Sequence, residues 1–278
     1  MLKVFKFLVP VLTICLLYSF KFKTVDDQPV SMAYYRFQHI KDTTQSGRVT
    51  TEDFYLAFNS NKSIYLSKTK NDQDSIQQAI LRKAEQENSN VIDMGIVLPT
   101  TPDQILATDQ SLSVIKAFNG NNYLIKEDFE KISWKIDQET SEILGYKCQK
   151  ATGKCKGRTY TAWFTTDIPA SFGPWKLNGL PGLILEAFDT SGRIKFTCTK
   201  ILNQVKLPAN ISLTIPADAI ATTQKDYNRM ENAYRENSGM GTFDGGDIRI
   251  ESTSLKSTSG NTGSKRFKVN FPLEIVGH

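Results

Sequence analysis

Histidine is nearly missing from this sequence: His39 and the last residue, His278, are the only two in 278 residues. A Ser-His-Asp or Cys-His nucleophile would have to work through His39, which reads as an ordinary polar residue at the end of a strand. No G-x-S-x-G elbow, H-E-x-x-H helix, C-x-x-C pair or phosphate-binding glycine loop occurs. Asp244-Gly245-Gly246-Asp247 lacks the alternating acids and closing Glu of a calcium loop and reads as a solvated turn. No metal or other cofactor is expected. Carboxylates are plentiful, but sequence spacing does not pair them, so a carboxylate-based enzyme has no specific support. Net charge is also scarce where it would matter. Of the 34 basic residues, Lys3, Lys6, Lys21 and Lys23 sit in the first 23 positions with no acid among them. Beyond residue 23 the charges nearly cancel, which leaves no electrostatic footprint for nucleic acid.

A long apolar run is absent as well. Phe7 to Phe20 carries no charge, but it is shorter than the roughly 20 residues of a bilayer span. Behind Lys3 and Lys6 it has the build of a signal peptide, here residues 1–23, and implies export to the periplasm or cell envelope. No small-x-small cleavage site follows it, so an uncleaved membrane anchor is the alternative. Cys15 follows bulky Ile14, where a lipoprotein signal wants a small residue. Three cysteines remain beyond it. Cys148 and Cys155 are candidates for a disulfide if the chain turns at Thr152-Gly153, which would set them diagonally across a hairpin. Cys198 reads as a small buried hydrophobe.

What is present is mostly strand. Apolar residues make up 40% of the chain, enough to bury a core. Segments around 34–37, 54–58 and 63–66 read as strands, and 123–125, 132–136 and 142–151 follow. Further on, 158–165, 182–188 and 193–201 continue the series. Arg193 to Ile201 alternates cleanly, with Ile194, Phe196 and Cys198 on one face, the pattern of a sheet wet on one side. Helical spacing occurs over 72–88, through Ile76, Ala79, Ile80 and Ala84, and again over 217–236. The stretch 91–120 gives no clear period. Residues 236–265, rich in Gly, Ser, Asn and Thr, predict a flexible loop with a short strand at 247–251, and 266–276 predicts a last strand.

The strongest motif runs from Gly173-Pro174-Trp175-Lys176-Leu177-Asn178 into Gly179-Leu180-Pro181-Gly182-Leu183-Ile184. Its hexapeptide resembles the signature of the GLPGLI family. So do Ile143 to Ala151, Gly157-Arg158, Ala162 to Thr165, Asp167-Ile168-Pro169 and the closing Asn270-Phe271-Pro272-Leu273-Glu274-Ile275, with Phe271 inserted. The resemblance is strong over 122–201 and loose elsewhere, and implies an exported protein of the Bacteroidota without an assigned activity. Pro169, Pro174 and Pro181 fix φ, while Gly179 and Gly182 free it. Ile168 to Gly182 is therefore an ordered corner between strands. Leu180, Leu183 and Leu185 anchor it. It is either a rigid turn or, with Trp175, the lip of a binding groove.

The expected fold is mainly β, a curved antiparallel sheet or half-barrel with one or two helices on its concave side, in one domain from 24 to 278. The strand pattern also resembles the curved sheets of periplasmic lipoprotein carriers, a likeness of fold alone. The function it points to is binding of an apolar ligand or an envelope partner segment, with the 168–182 corner beside the sheet edge. An assembly role through a bare sheet edge and a carboxylate enzyme are the alternatives.

Overall fold

Short alternating segments joined by glycine-bearing turns favour hairpins. The computed structural model, which describes residues 29–89, 92–128, 130–208, 210–237 and 269–275, is built mostly from them. Strands β1 (Val30–His39), β2 (Thr50–Phe58), β3 (Lys62–Ser67), β4 (Gln104–Thr108), β5 (Leu112–Phe118) and β6 (Asn121–Glu127) form one antiparallel meander. A second meander consists of β7 (Lys135–Ile143), β8 (Tyr146–Cys155), β9 (Arg158–Thr165), β10 (Leu183–Asp189) and β11 (Ile194–Val205). The two join where β1 pairs antiparallel with β11. Short β12 (Ile220–Thr222) adds to β6 in parallel, so that the described residues form an open sheet of 12 strands. Among the described residues two helices, α1 (Lys68–Gln86) and α2 (Gln224–Asn237), accompany it.

The sheet is strongly curved. Glu127 ends β6 and Lys156 lies in the β8–β9 turn, nine strand positions away in the sheet order. A flat sheet at about 4.8 Å per strand would separate them by roughly 43 Å. Instead Lys156 Nζ lies 3.0 Å from Glu127 Oε2. The inner face carries the larger core: Ala33, Tyr35 and Phe37 of β1, Phe54 and Leu56 of β2, Tyr65, Val114, Phe164 and Phe196. The outer face holds a smaller cluster in which Ile211 and Leu213 cover Met32, Tyr55, Ala57, Ile64 and Leu66. That double coverage explains the unbroken apolar run Phe54-Tyr55-Leu56-Ala57-Phe58, a central strand buried on both faces.

Three hairpins turn on a residue followed by glycine, both with positive φ: Asn119-Gly120 (48° and 78°), Leu144-Gly145 (55° and 81°) and Lys156-Gly157 (45° and 80°). This is the I′ geometry that matches strand twist. The turn expected at Thr152-Gly153 is not there. Gly153 lies inside β8, where a Cβ would come within 2.6 Å of Trp134 Cε3 and 2.8 Å of Ile132 Cγ2. The glycine serves a close crossing, not a turn. Cys148 and Cys155 consequently belong to one strand. About 23 Å of extended chain separates them, well beyond disulfide reach. The expected Cys148–Cys155 bridge does not form, and Cys148, Cys155 and Cys198 are free, buried thiols. Burial pushes Cys148 up to about 11 and Cys155 and Cys198 up to about 12. Thiols that stay protonated are poor nucleophiles.

Other expectations shift. The stretch 91–120 contains β4 and β5. Of the strand expected at 132–136, residues 132–134 form an irregular crossing ahead of β7. Helix α1 begins at Lys68, because Ser67 caps it by accepting from the Lys70 amide at 3.0 Å. Only Ala84 of α1 is buried, and its first turn meets Tyr55 of the outer cluster, where Lys68 Nζ lies 5.9 Å from the ring centre. Only α2 lies on the concave side, with Tyr227 edge-on to Phe118 and Tyr123. Residues 269–275 are no strand but a tail laid over the sheet. The expected signal segment 1–23, the strand at 247–251 and most of the loop 236–265 lie outside the described residues.

Candidate functional site

The inner face gathers aromatic side chains from strands distant in sequence. Tyr65 stacks on Phe54 (4.6 Å between ring centres, 5° between planes). Phe54 meets Phe37 edge-on at 6.0 Å, and Phe37 stacks on Phe196 at 4.8 Å. Phe196 in turn lies nearly parallel to Trp175 at 6.4 Å and 9°. The register accounts for this row. Tyr35 pairs with Phe54 and Cys198, and Phe37 with Phe196, so odd-numbered β1 residues share the inner face with even-numbered residues of β2 and β11. All five rings line a cavity of about 1020 Å³.

The cavity's other side is polar. Lys176 is buried, and its Nζ lies 2.6 Å from Glu127 Oε1 and 2.6 Å from Glu274 Oε1. Lys156 also bonds Glu127, and Lys116 pairs with Asp103 at 2.5 Å. Burial pushes the Glu127 carboxyl up, but the hydrogen bonds and charges of Lys176 and Lys156 together outweigh it and hold it below the usual carboxylate range. Gln224 and Asn228 of α2 and Thr222 of β12 complete the lining. Tyr65 lends the cavity its ring alone, since its hydroxyl is fully buried. Burial first, and then the Glu52 charge, push its pKa well above the usual tyrosine value.

The motif corner is a closed loop whose ends meet where Leu183 pairs with Thr165. Leu183 N donates to Ile168 O (3.1 Å), Ile184 N to Phe172 O (3.0 Å) and Gly179 N to Ser171 O (3.0 Å). The Tyr35 hydroxyl donates to Ile184 O at 2.6 Å and Trp134 Nε1 to Asn178 O at 2.7 Å. Both bonds pin the loop onto the inner face, not beside the sheet edge as expected. Ile168, Pro174, Leu180, Leu183 and Ile184 are buried, whereas Pro169, Gly179 and Pro181 face outward. Gly173 lets Ile184 and the Leu177 carbonyl close in, and Gly182 rides on the Thr165 backbone. Of the motif residues singled out, only Trp175 reaches the cavity, together with its neighbour Lys176. Trp175 has φ +57, a left-handed conformation disfavoured for a bulky residue. Such strain is held where surrounding structure enforces it, and here it turns the ring onto Phe196.

The tail forms one wall. Asn270 N and Phe271 N donate to Lys41 O, and Ile275 N to Lys156 O. Arg158 lies 3.8 Å over the Phe271 ring and donates through Nε to Pro272 O at 3.1 Å. Leu273 and Glu274 then enter the cavity lining. His39 is no ordinary strand-end residue: it is 3% exposed, and its Nε2 donates to Phe271 O at 2.8 Å. Burial pushes its imidazole down to about 4; the Phe271 carbonyl opposes this, Lys41 and Arg158 add to it, and Asp189 resists. Unfolded histidine titrates near 6.5. Between those values the unfolded chain takes up a proton that the folded chain refuses. The contribution is therefore complete above about 6.5 and is lost as pH falls toward about 4. Thermal melts from pH 7 to 4.5 should show the wild type losing more stability than His39→Gln, by on the order of 2 kcal/mol. Equal losses would remove His39 from the acid response.

No sequence pattern marks Tyr65, Phe54, Phe37, Phe196, Lys176, Glu127 and Glu274 as lining one cavity. The one local signal is Lys176, the single charge between Gly173 and Ile184.

The family model described as "N-glycanase peptide, N-terminal domain" matches residues 60–225. No curated protein matches the chain. Among solved structures, PNGF-II in space group C2 shares the fold, with a TM-score of 0.52 and 17% identity over 74% of this chain and 33% of its own. PNGF-II in space group P21 gives 0.50 and 17% over 73% and 33%. This chain thus spans about a third of the length of the solved structures it matches.

Proposed function

Since the chain belongs to the N-glycanase peptide N-terminal domain family, we propose that it is an exported domain that binds a glycan in its concave cavity. One observation carries the reading: a row of five aromatic rings faces a hydrogen-bonding wall across one cavity. Sugar rings present flat C–H faces and a polar rim, and aromatic faces with nearby amides, hydroxyls and carboxylates suit both. The signal-like start and the GLPGLI resemblance support export, and the family description supports a glycan ligand.

The expected apolar ligand draws support from the aromatic floor alone. The Lys176, Glu127 and Glu274 cluster weighs against it, because an apolar chain lying there would strip water from charges without replacing it. Assembly through a sheet edge is weakened by β7, which bears Lys135, Asp137, Glu139 and Glu142 and a register shift. Charges and bulges blunt edges. For a carboxylate enzyme, Glu127 is held ionised, the reverse of what a general acid requires.

A glycan array followed by calorimetry tests the proposal. Binding to a set of related glycans, lost in Trp175→Ala, is the expected result. An empty array, with acyl lipid extracted from the purified protein instead, would replace the glycan by an apolar ligand.

A further inference from the structure

Reach decides which lining groups can meet a ligand. The five rings of the floor turn most of their area toward one another, and none is more than 7% exposed. Lys176 is buried against its carboxylates. The exposed part of the lining is a rim, where Lys126 and Asp128, on either side of the last residue of β6, meet Thr223, Gln224 and Asn228. Parallel pairing builds this rim. Thr222 lies opposite Ile125, so Lys126 stands beside Thr223, which caps α2 by accepting from the Asp226 amide at 3.1 Å. Tyr227, buried edge-on against Phe118 and Tyr123, fixes the helix there. Gln224 and Asn228, one turn apart, share a face of it.

Gln224 Nε2 donates to Asn228 Oδ1 at 2.6 Å. The bond holds both amides in place. It leaves Gln224 Oε1 as an acceptor and Asn228 Nδ2 as a donor, neither with another partner among the described residues. An acceptor and a donor fixed side by side match two adjacent ring hydroxyls, each of which both donates and accepts. Lys126 is the one lining lysine without an ion pair among the described residues, since Asp103, Glu127 and Glu274 take Lys116, Lys156 and Lys176. Its ammonium is exposed and open to a carboxylate. Asp128, exposed and likewise without an ion pair among the described residues, stands two positions on. Attraction between such hydrated charges is modest, so Lys126 sets a preference and not the bulk of the affinity.

Resting on the glycan reading above, we propose that the rim selects the ligand: the bonded amides of Gln224 and Asn228 grip adjacent hydroxyls of one sugar ring, and Lys126 beside them favours a saccharide that carries a carboxylate. Gln224→Leu and Asn228→Leu each break the amide pair with a good helix former and disturb no buried group. The pair itself adds only a few tenths of a kcal/mol to the helix, so either change should lower the unliganded Tm by no more than about 2 °C. Weaker binding on an unchanged fold is a combination that a purely structural pair would not give.

The test is calorimetry on the whole chain with two probes, a biantennary oligosaccharide with and without terminal sialic acid. The wild type is expected to bind both, the sialylated form more tightly. Gln224→Leu and Asn228→Leu should each lower affinity for both probes about three- to tenfold, the worth of one neutral hydrogen bond. Lys126→Met should lower the ratio of sialylated to unsialylated affinity about two- to fivefold, the scale of an exposed ion pair. Amide variants that bind as tightly as the wild type, or whose unliganded Tm falls in step with affinity, would overturn the role of the pair and leave the glycan reading standing. A ratio unchanged in Lys126→Met would overturn the role of the lysine. A wild type that binds neither probe overturns the inference, and if the array is empty as well, the glycan reading falls with it.

Discussion

Gly182→Ala should melt far below the wild type, with a Tm lower by on the order of 10 °C or more. An added Cβ would sit 2.0 Å from the Thr165 carbonyl oxygen and 2.6 Å from its carbon. Both are backbone atoms at the point where β9 ends and β10 begins, so no side chain can swing aside. Relief requires parting Leu183 from Thr165, and with it the Leu183 N to Ile168 O bond that closes the motif loop. Core overpacking typically costs about 1–3 kcal/mol, more when backbone must move. Gly179→Ala is the control: its φ of +87 is strained for alanine, but the nearest atom to its Cβ is Trp134 Nε1 at 3.9 Å. That change should cost only about 1–2 kcal/mol. Circular dichroism melts of the two variants decide the matter, and a Gly182→Ala melt no lower than that of Gly179→Ala would refute the steric account.

Lys176→Met should come second, destabilising by about 2–4 kcal/mol at neutral pH. The methionine keeps the apolar stem but leaves Glu127 with Lys156 alone and removes the ammonium bonded to Glu274. The deficit should depend on acidity. In the wild type the Glu127 pKa is lowered by folding, so its contribution is present above the ordinary carboxylate range and disappears as pH falls. The variant lacks most of that contribution at any pH. The gap between the two melting curves should therefore narrow from pH 7 to pH 4. A gap that stays constant over this range would mean the loss comes from packing, not from charge.

The sequence shows strands well where burial is one-sided or continuous. The alternation of Ile194, Phe196 and Cys198 and the run Phe54 to Phe58 each report their own strand's surroundings. It fails where glycine has two meanings. Gly153 and Gly145 look alike in the sequence, yet one admits Trp134 against β8 and the other turns a hairpin. Asn119-Gly120, between two apolar runs, is a hairpin signal for β5 and β6. The site was less legible than the fold. Its aromatic row runs across the strands, and neighbours in such a row are set by register, which no local pattern records. His39 reads as an ordinary strand-end residue for a related reason: its burial depends on Phe271, 232 positions away.

The seam between the two meanders has a kinetic meaning. Each meander is made of neighbouring hairpins and can assemble from local contacts, whereas β1 must find β11, with Val30 opposite Val205. Closing so long an interval carries a large entropic barrier and makes this pairing the slow step. A chain delivered N-terminus first would hold β1 with one edge unpaired until most of the protein had emerged. The aromatic row straddles that seam, with Tyr65, Phe54 and Phe37 on one side and Phe196 and Trp175 on the other. The cavity should therefore close late and all at once, and a molecule held in it would slow the two halves from parting.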